Sequence, residues 1–324
     1  MKLRFLLTVL TFALCAAPAL TNVSLAQEKP KEQPKLSEEE SKQIDKMNKA
    51  TTTAEKTKFG IEFIKKFKKN TAYREKVASY LSNQIFNEKD PNAKIQAAQL
   101  FIGAFDQPGE ADTVKPALID GYVTAGKFDE AFTEGGKYAE AHPDDVFVPA
   151  SLGVNGATQL QKLGAQGATW KWAKASVDNL TKAVELLEQD KKPAKTEQEF
   201  WTNYRNAWLP KLYQAQGAIF YTTKEMAKAR ESLEKAFGFD PTDIFTLNSL
   251  IGLTIDEYQT LGQRFQTEKK NDLYDKALAK MDEAIDYLAR AIAATEGKTE
   301  PQFQTANARF KDQLKQYYEF RYPN

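Results

Sequence analysis

The chain contains one histidine, His142, in the stretch AHPDD. A lone imidazole can move a proton near neutral pH, but acid–base catalysis also needs a partner held against the substrate. The residue before a proline is pushed out of helical geometry. His142 therefore reads as a helix-end residue with a solvated or capping role. The one cysteine, Cys15, falls within the first 26 residues. Without that segment the chain has no thiolate to act as nucleophile or metal ligand. A GxSxG elbow, a GxxxxGK[ST] phosphate loop and an HExxH pair are all missing. The nearest approach, GYVTAGKF at 121–128, puts Phe128 where a magnesium-binding hydroxyl is required. GQRFQTEKKNDLYDK at 262–276 lacks the Asp/Asn alternation of a calcium loop. The acid pairs Asp144–Asp145 and Glu38–Glu40 sit at helix starts, where carboxylates favour the macrodipole. The reading is of a non-enzyme with no catalytic residue, metal site or cofactor, although an acid pair assembled across a groove would leave no sequence signal.

Two stretches carry groups suited to binding. FWTNYRNAWLPKLY at 200–213 gathers Trp201, Tyr204, Arg205 and Trp208. These form either the core of an inserted segment or a platform for stacking and hydrogen bonding to sugars or peptides. KTKFGIEFIKKFKKNTAYREK at 56–76 is rich in lysine. It reads either as a solvated helix face or as a binder of anionic headgroups or polysaccharide.

The elements that must position these groups are helical. From about residue 53, IEFIKKF, YREKVASYLSNQIF and IQAAQLFIGAF repeat their apolar residues at three and four, not two. Breaks fall at EKDPNA, DQPGEAD, AHPDD, QDKKPAK, FDPTD and EGKTEP. Twelve or thirteen helices and no sheet are expected. Asp90–Pro91 and Asp240–Pro241 should each place a capping Asp before a first-turn proline. Pro210 should break or kink its helix after Trp208.

The N-terminus, MKLRFLLTVLTFALCAAPAL, sets Lys2 and Arg4 before a short apolar run, and Ser24 and Ala26 supply an A-x-A-like cleavage site. This is the pattern of a secretory signal peptide over 1–26. A retained anchor and a lipoprotein are weaker alternatives, the latter because Leu14 stands where a lipobox needs a small residue. The implied destination is the periplasm or cell envelope, with an extracellular one as the alternative. No membrane span remains after the leader. Stability must then come from core burial, without disulfides. With 45 basic and 44 acidic residues in the whole chain, the near-neutral balance implies no nucleic-acid partner. Residues 27–52 read as a flexible polar tether, with Ser37 and Glu40 able to open a short helix as a capping box. Residues 53–324 read as the folded domain.

Within that domain KFDEAFTEGGKYAEAHPDD at 127–145 and KEMAKARESLEKAFGFDPTD at 224–243 share one spacing. Tyr122 precedes Pro143, and Phe220 precedes Pro241, by 21 residues; Ala131 and Ala229 fall at one offset between them. The second copy has Gly217, Phe220, Ala229, Leu233, Ala236 and Pro241. The first has Leu118, Tyr122, Gly126, Ala131 and Pro143, with Ile119 and Tyr138 where small residues are expected. This pattern resembles the tetratricopeptide repeat, a helix–turn–helix unit of about 34 residues. Copies beginning near Gly156 and Thr254 have late second helices, which lengthened helices would explain. Residues of about 189–210 form an insertion, and 300–321 form a terminal capping helix.

The resemblance implies an all-α solenoid with a concave groove lined by the first helix of each pair. Carried over position by position, the groove candidates are Asp120, Thr124, Lys211, Gln214, Tyr221, Asn248 and Asp256, with Gly252 on the same helix. The lining lacks the Lys/Asn/Arg pattern by which some family members clamp a peptide's C-terminal carboxylate. The expected activity is non-catalytic binding of an unidentified protein or peptide. The alternative is a small-molecule or glycan binder that uses the aromatic stretch at 197–213. Partner identity and oligomeric state have no signal in the sequence.

Overall fold

A computed structural model describes residues 36–323 apart from 108 and 195. The leader and the first part of the proposed tether lie outside the described residues. Among the described residues there are thirteen α-helices and no strand. In order these are α1 (Glu38–Lys49), α2 (Thr53–Lys66), α3 (Thr71–Asn87), α4 (Pro91–Ile102), α5 (Lys115–Thr124), α6 (Phe128–Ala141) and α7 (Phe147–Leu163). There follow α8 (Ala173–Glu188), α9 (Gln198–Thr222), α10 (Met226–Phe239), α11 (Ile244–Glu268), α12 (Asn271–Thr295) and α13 (Pro301–Arg321).

The chain divides into two compact units. The N-terminal unit holds α1–α6, the first half of α7 and residues 193–197; the C-terminal unit holds 156–192 and α9–α13. In each, helices pack on their sequence neighbours, and alternate helices also meet, as in α2 with α4 and α9 with α11. That is the all-α, solenoid-like packing expected from stacked helix pairs. Phe63, Leu81, Ile85, Phe101 and Phe105 fill the N-terminal core, and Trp201, Leu212, Leu247, Leu288 and Phe310 the C-terminal one.

Both good sequence copies build the same local structure. In α5–α6 the Lys127 N–H donates to the Tyr122 carbonyl across a left-handed Gly126 at φ +72°. In α9–α10 the Glu225 N–H donates to the Phe220 carbonyl across Lys224 at φ +66°. This six-to-one hydrogen bond around a left-handed residue is the Schellman closure of a helix end.

Several expectations are corrected. Within 27–52 the distal half is not a tether: the Ser37–Glu40 capping box closes, α1 packs on α2, and Met47 is buried. α9 runs unbroken through Pro210. Leu209, Leu212 and Tyr213 anchor it in the core, whereas Asn206, whose carbonyl loses its partner, is exposed to water. The insertion is thus a loop plus extra turns on the front of a 25-residue helix. Asp240 does not cap α11; it closes its own turn with Thr242, and Asp243 accepts from the Thr246 N–H at 2.7 Å. The 25-residue α11 and α12 account for the later delay as expected, but the earlier one comes from a 17-residue α7 and a 3-10 turn over Gly164–Thr169.

Candidate functional site

The candidate site is the shared face of α9, α11 and α13 in the C-terminal unit. Side-chain contacts join the three helices. The Tyr221 hydroxyl on α9 donates to Asp256 Oδ2 on α11 at 2.6 Å. Arg309 Nη2 on α13 donates to Asn248 Oδ1 on α11 at 2.7 Å. The Tyr258 and Tyr317 rings meet edge to face at 6.3 Å. Asn248, Gly252 and Asp256 follow one another at four-residue spacing, so they share one helix face.

Burial pushes the Tyr221 hydroxyl well above the ordinary tyrosine value, and its hydrogen bond to Asp256 pushes it further. It therefore stays protonated and acts as a donor. Burial also raises Tyr317, with Tyr258 and the Asp256 charge adding to it. Burial alone pulls Arg309 below the usual guanidinium value, since no carboxylate stands near to offset it.

Of the sequence candidates, Tyr221, Asn248 and Asp256 come together here. Lys211 is exposed on α9, its ammonium 5.6 Å from the Trp208 ring. Gln214 is not available to a ligand: it is buried, and its amide donates to Asp243 Oδ2 and Thr246 Oγ1, both at 2.9 Å. Its position faces the start of α11, where the capping carboxylate needs that donor. Asp120 and Thr124 belong to the N-terminal unit. Asp120 is paired with Lys94 at 2.6 Å, and Thr124 is exposed.

The aromatic platform is smaller than the sequence suggests. Trp201 is fully buried and donates from Nε1 to Asp190 Oδ1 at 2.6 Å, so it belongs to the core. Arg205 donates to the Leu187 carbonyl at the end of α8. Tyr204 and Trp208 remain half-buried, their rings stacked at 5.3 Å in line with Phe200.

The lysine stretch is partly spent on local partners, Lys56 on Gln84 and Lys66 on Glu39. His142 Nε2 is buried without a hydrogen bond, 3.6 Å from Asp112, at the end of α6. A cleft of about 500 Å³ in the C-terminal unit is lined by Trp170, Lys174, Val177, Phe220, Thr223 and Lys228, none of them a sequence candidate. No cluster able to hold a metal occurs among the described residues, and none of their helices is long and apolar enough to cross a membrane.

Sequence reasoning missed Arg309, Tyr258 and Tyr317. The first and last lie in the segment read as a polar cap. The sequence carries no signal for them, because which residue of α13 faces α11 depends on how the two helices dock. The chain matches no known family model, and none of the curated proteins matches it.

Proposed function

We propose that the protein is an exported, non-catalytic scaffold of the cell envelope. It binds a segment of another protein in the groove formed by α9, α11 and α13, and its helix pairs are divergent tetratricopeptide repeats. The repeat assignment is supported by the identical Schellman closures at Gly126 and Lys224. The binding assignment rests on one observation: two polar pairs that link three helices, Tyr221–Asp256 and Arg309–Asn248, lie along one partly exposed face of α11. Protein interiors ordinarily bury apolar contacts between neighbouring helices, so a polar row here favours a ligand-facing surface.

A crosslinking pulldown from the native envelope tests this, using protein from Gln27 onward and a Tyr221→Ala/Asn248→Ala variant. The reading requires a discrete protein captured by the wild type and lost in the variant. Capture of the same protein by both would move the working surface elsewhere. The second reading, a glycan or small-molecule binder, is favoured by the stacked Tyr204–Trp208 pair. Quenching of tryptophan fluorescence by added sugars that is lost in Trp208→Ala would support it.

A further inference from the structure

The last three helices of the C-terminal unit do not end level. The Tyr258 ring on α11 meets Tyr317 on α13, and Arg321 at the end of α13 binds Asp282 on α12 at 2.8 Å. The end of α9 stops at the same height, Tyr221 meeting Asp256. From there α11 runs on to Glu268 and α12 returns from Asn271. Roughly 10 to 15 Å of this helical hairpin, at about 1.5 Å per residue, therefore projects past the last turn of α13. Leu273 and Ala277 are buried in the seam between its two helices.

The step so formed is lined with aromatic rings. Tyr274 on the hairpin is 48% exposed and lies 5.2 Å from the Phe265 ring. It stands near enough to Tyr258 and Arg321 to raise the pKa of both. At the end of α13, Tyr318, Phe320 and Tyr322 are 54%, 68% and 47% exposed. A terminal helix of a solenoid is expected to turn a polar face outward, and this last turn does the reverse. Aromatic side chains carry about 150–250 Å² each, so these fractions leave roughly 400 Å² of ring in water on each copy. A stable interface takes about 800 Å² from each partner, with aromatic residues concentrated at its centre. The rings match such a centre, and the flanks of the step match its rim.

The charges around the step are answered within the copy. Arg264 and Lys270 pair with Glu268, Lys276 with Asp272, and Arg321 with Asp282. A surface of this kind neither steers in a strongly charged partner nor repels its own image.

We propose that the step is the contact between two copies of this chain related by a two-fold axis. The hairpin of each copy fills the space beyond α13 of the other, so positions near 270 of one lie against positions near 319 of the other. Two like steps close on each other in this way because the projection and the gap have the same length. The contact is made at the end of the unit rather than along the row on α11, and it stands whether or not that row binds a ligand.

Sedimentation equilibrium of protein from Gln27 onward, over about 1–100 μM, tests this. A monomer–dimer equilibrium is expected in that range. Tyr318→Ser/Phe320→Ser should weaken it by about tenfold or more, and Tyr274→Ser, on the hairpin side of the step, should weaken it too. Melting curves confirm that the variants fold. Phe239→Ser, at an exposed ring on α10, should leave the equilibrium unchanged. Protein from Gln27 onward lacks Cys15, the only cysteine, so Lys270→Cys and Glu319→Cys each introduce a single thiol. Mixed and treated with a short bismaleimide, the two variants should crosslink to each other in preference to themselves.

A monomer throughout the range, or a dimer that the step variants do not weaken, overturns the proposal. A preference for 270–270 or 319–319 products over the mixed one overturns it as well. Vesicles of phosphatidylglycerol that sediment with the monomer, and no longer do so with the step variants, would assign the rings to a lipid surface and overturn it in favour of that occupant.

Discussion

The pairs α5–α6 and α9–α10 use one turn and opposite packing solutions. In α9–α10 the glycine is on the first helix: a Cβ on Gly217 would lie 2.6 Å from Leu233 Cγ, so close approach occurs within the pair. In α5–α6 the equivalent first-helix residue is Ile119, and the glycine has moved to the second helix. There a Cβ on Gly135 would lie 2.4 Å from Leu152 Cδ1 on α7, so close approach occurs toward the next helix. A repeat therefore conserves its turn and its spacing while the site of tightest contact shifts between interfaces.

The largest effect that would break this comparison is at Gly217. Leu233 is almost fully buried and its branch point, not its tip, meets the new methyl group. Gly217→Ala should destabilise by about 2 kcal/mol, measured by urea unfolding. Gly135→Ala should cost about 1 kcal/mol less, because the nearest atom there is the tip of Leu152 and not its branch point, although that side chain is as buried as Leu233. Equal costs at the two sites would show that the packing difference is not real.

The turns sharpen the comparison at a smaller scale. Gly126→Lys should cost about 1 kcal/mol, since an ordinary residue is strained in the left-handed region. Lys224→Gly should gain about half as much, the relief being offset by the greater freedom of glycine in the unfolded chain. Opposite signs in the two thermal melts are the outcome that fits one shared turn.

The smallest effect concerns the cap that follows the second helix, which the two copies share, Asp145 and Asp243 each accepting from the N–H three residues on. Its side-chain neighbour differs, Tyr138 beside Asp145 and Gln214 beside Asp243. Asp145 caps α7 through the Val148 N–H at 2.9 Å, and burial holds its carboxyl above the usual aspartate range. Because the folded state favours the protonated form, this group weakens folding as pH rises above the ordinary aspartate value. Asp145→Asn keeps a capping oxygen and removes the charge. Its stability relative to wild type should improve between pH 4 and pH 7 by a few tenths of a kcal/mol or more. A difference independent of pH would contradict that account.

Much of the fold was legible because it rests on local rules. Apolar spacing at three and four gave the helices, and Ser37–Glu40 and Asp90–Pro91 gave their starts, both capped as read. Pro210 misled because a proline's cost is local, whereas the burial of Leu209, Leu212 and Tyr213 that outweighs it is tertiary. Met47 misled in the opposite direction, one apolar residue in a polar stretch being too little to signal a packed helix.

The candidate face was legible in part. Position-by-position transfer named Tyr221, Asn248 and Asp256, which take part in contacts between helices, but it could not see that Gln214 is consumed by the cap of α11. It also could not supply Arg309, whose role depends on which helix lies beside Asn248. The aromatic stretch was ambiguous for the same reason. Trp201 and Trp208 are seven residues apart on nearly the same face of α9, and only what packs over each along the helix makes one core and the other half-exposed.

The most direct test of a binding groove in the C-terminal unit is site-specific photo-crosslinking in cells. A photoreactive side chain would be placed at position 248 on the row, and separately at 239, an exposed position on α10. The account predicts a discrete adduct with another protein from 248, lost when Gly252→Leu is added, and none from 239. An adduct from 239 alone, or one from 248 that survives Gly252→Leu, would contradict it.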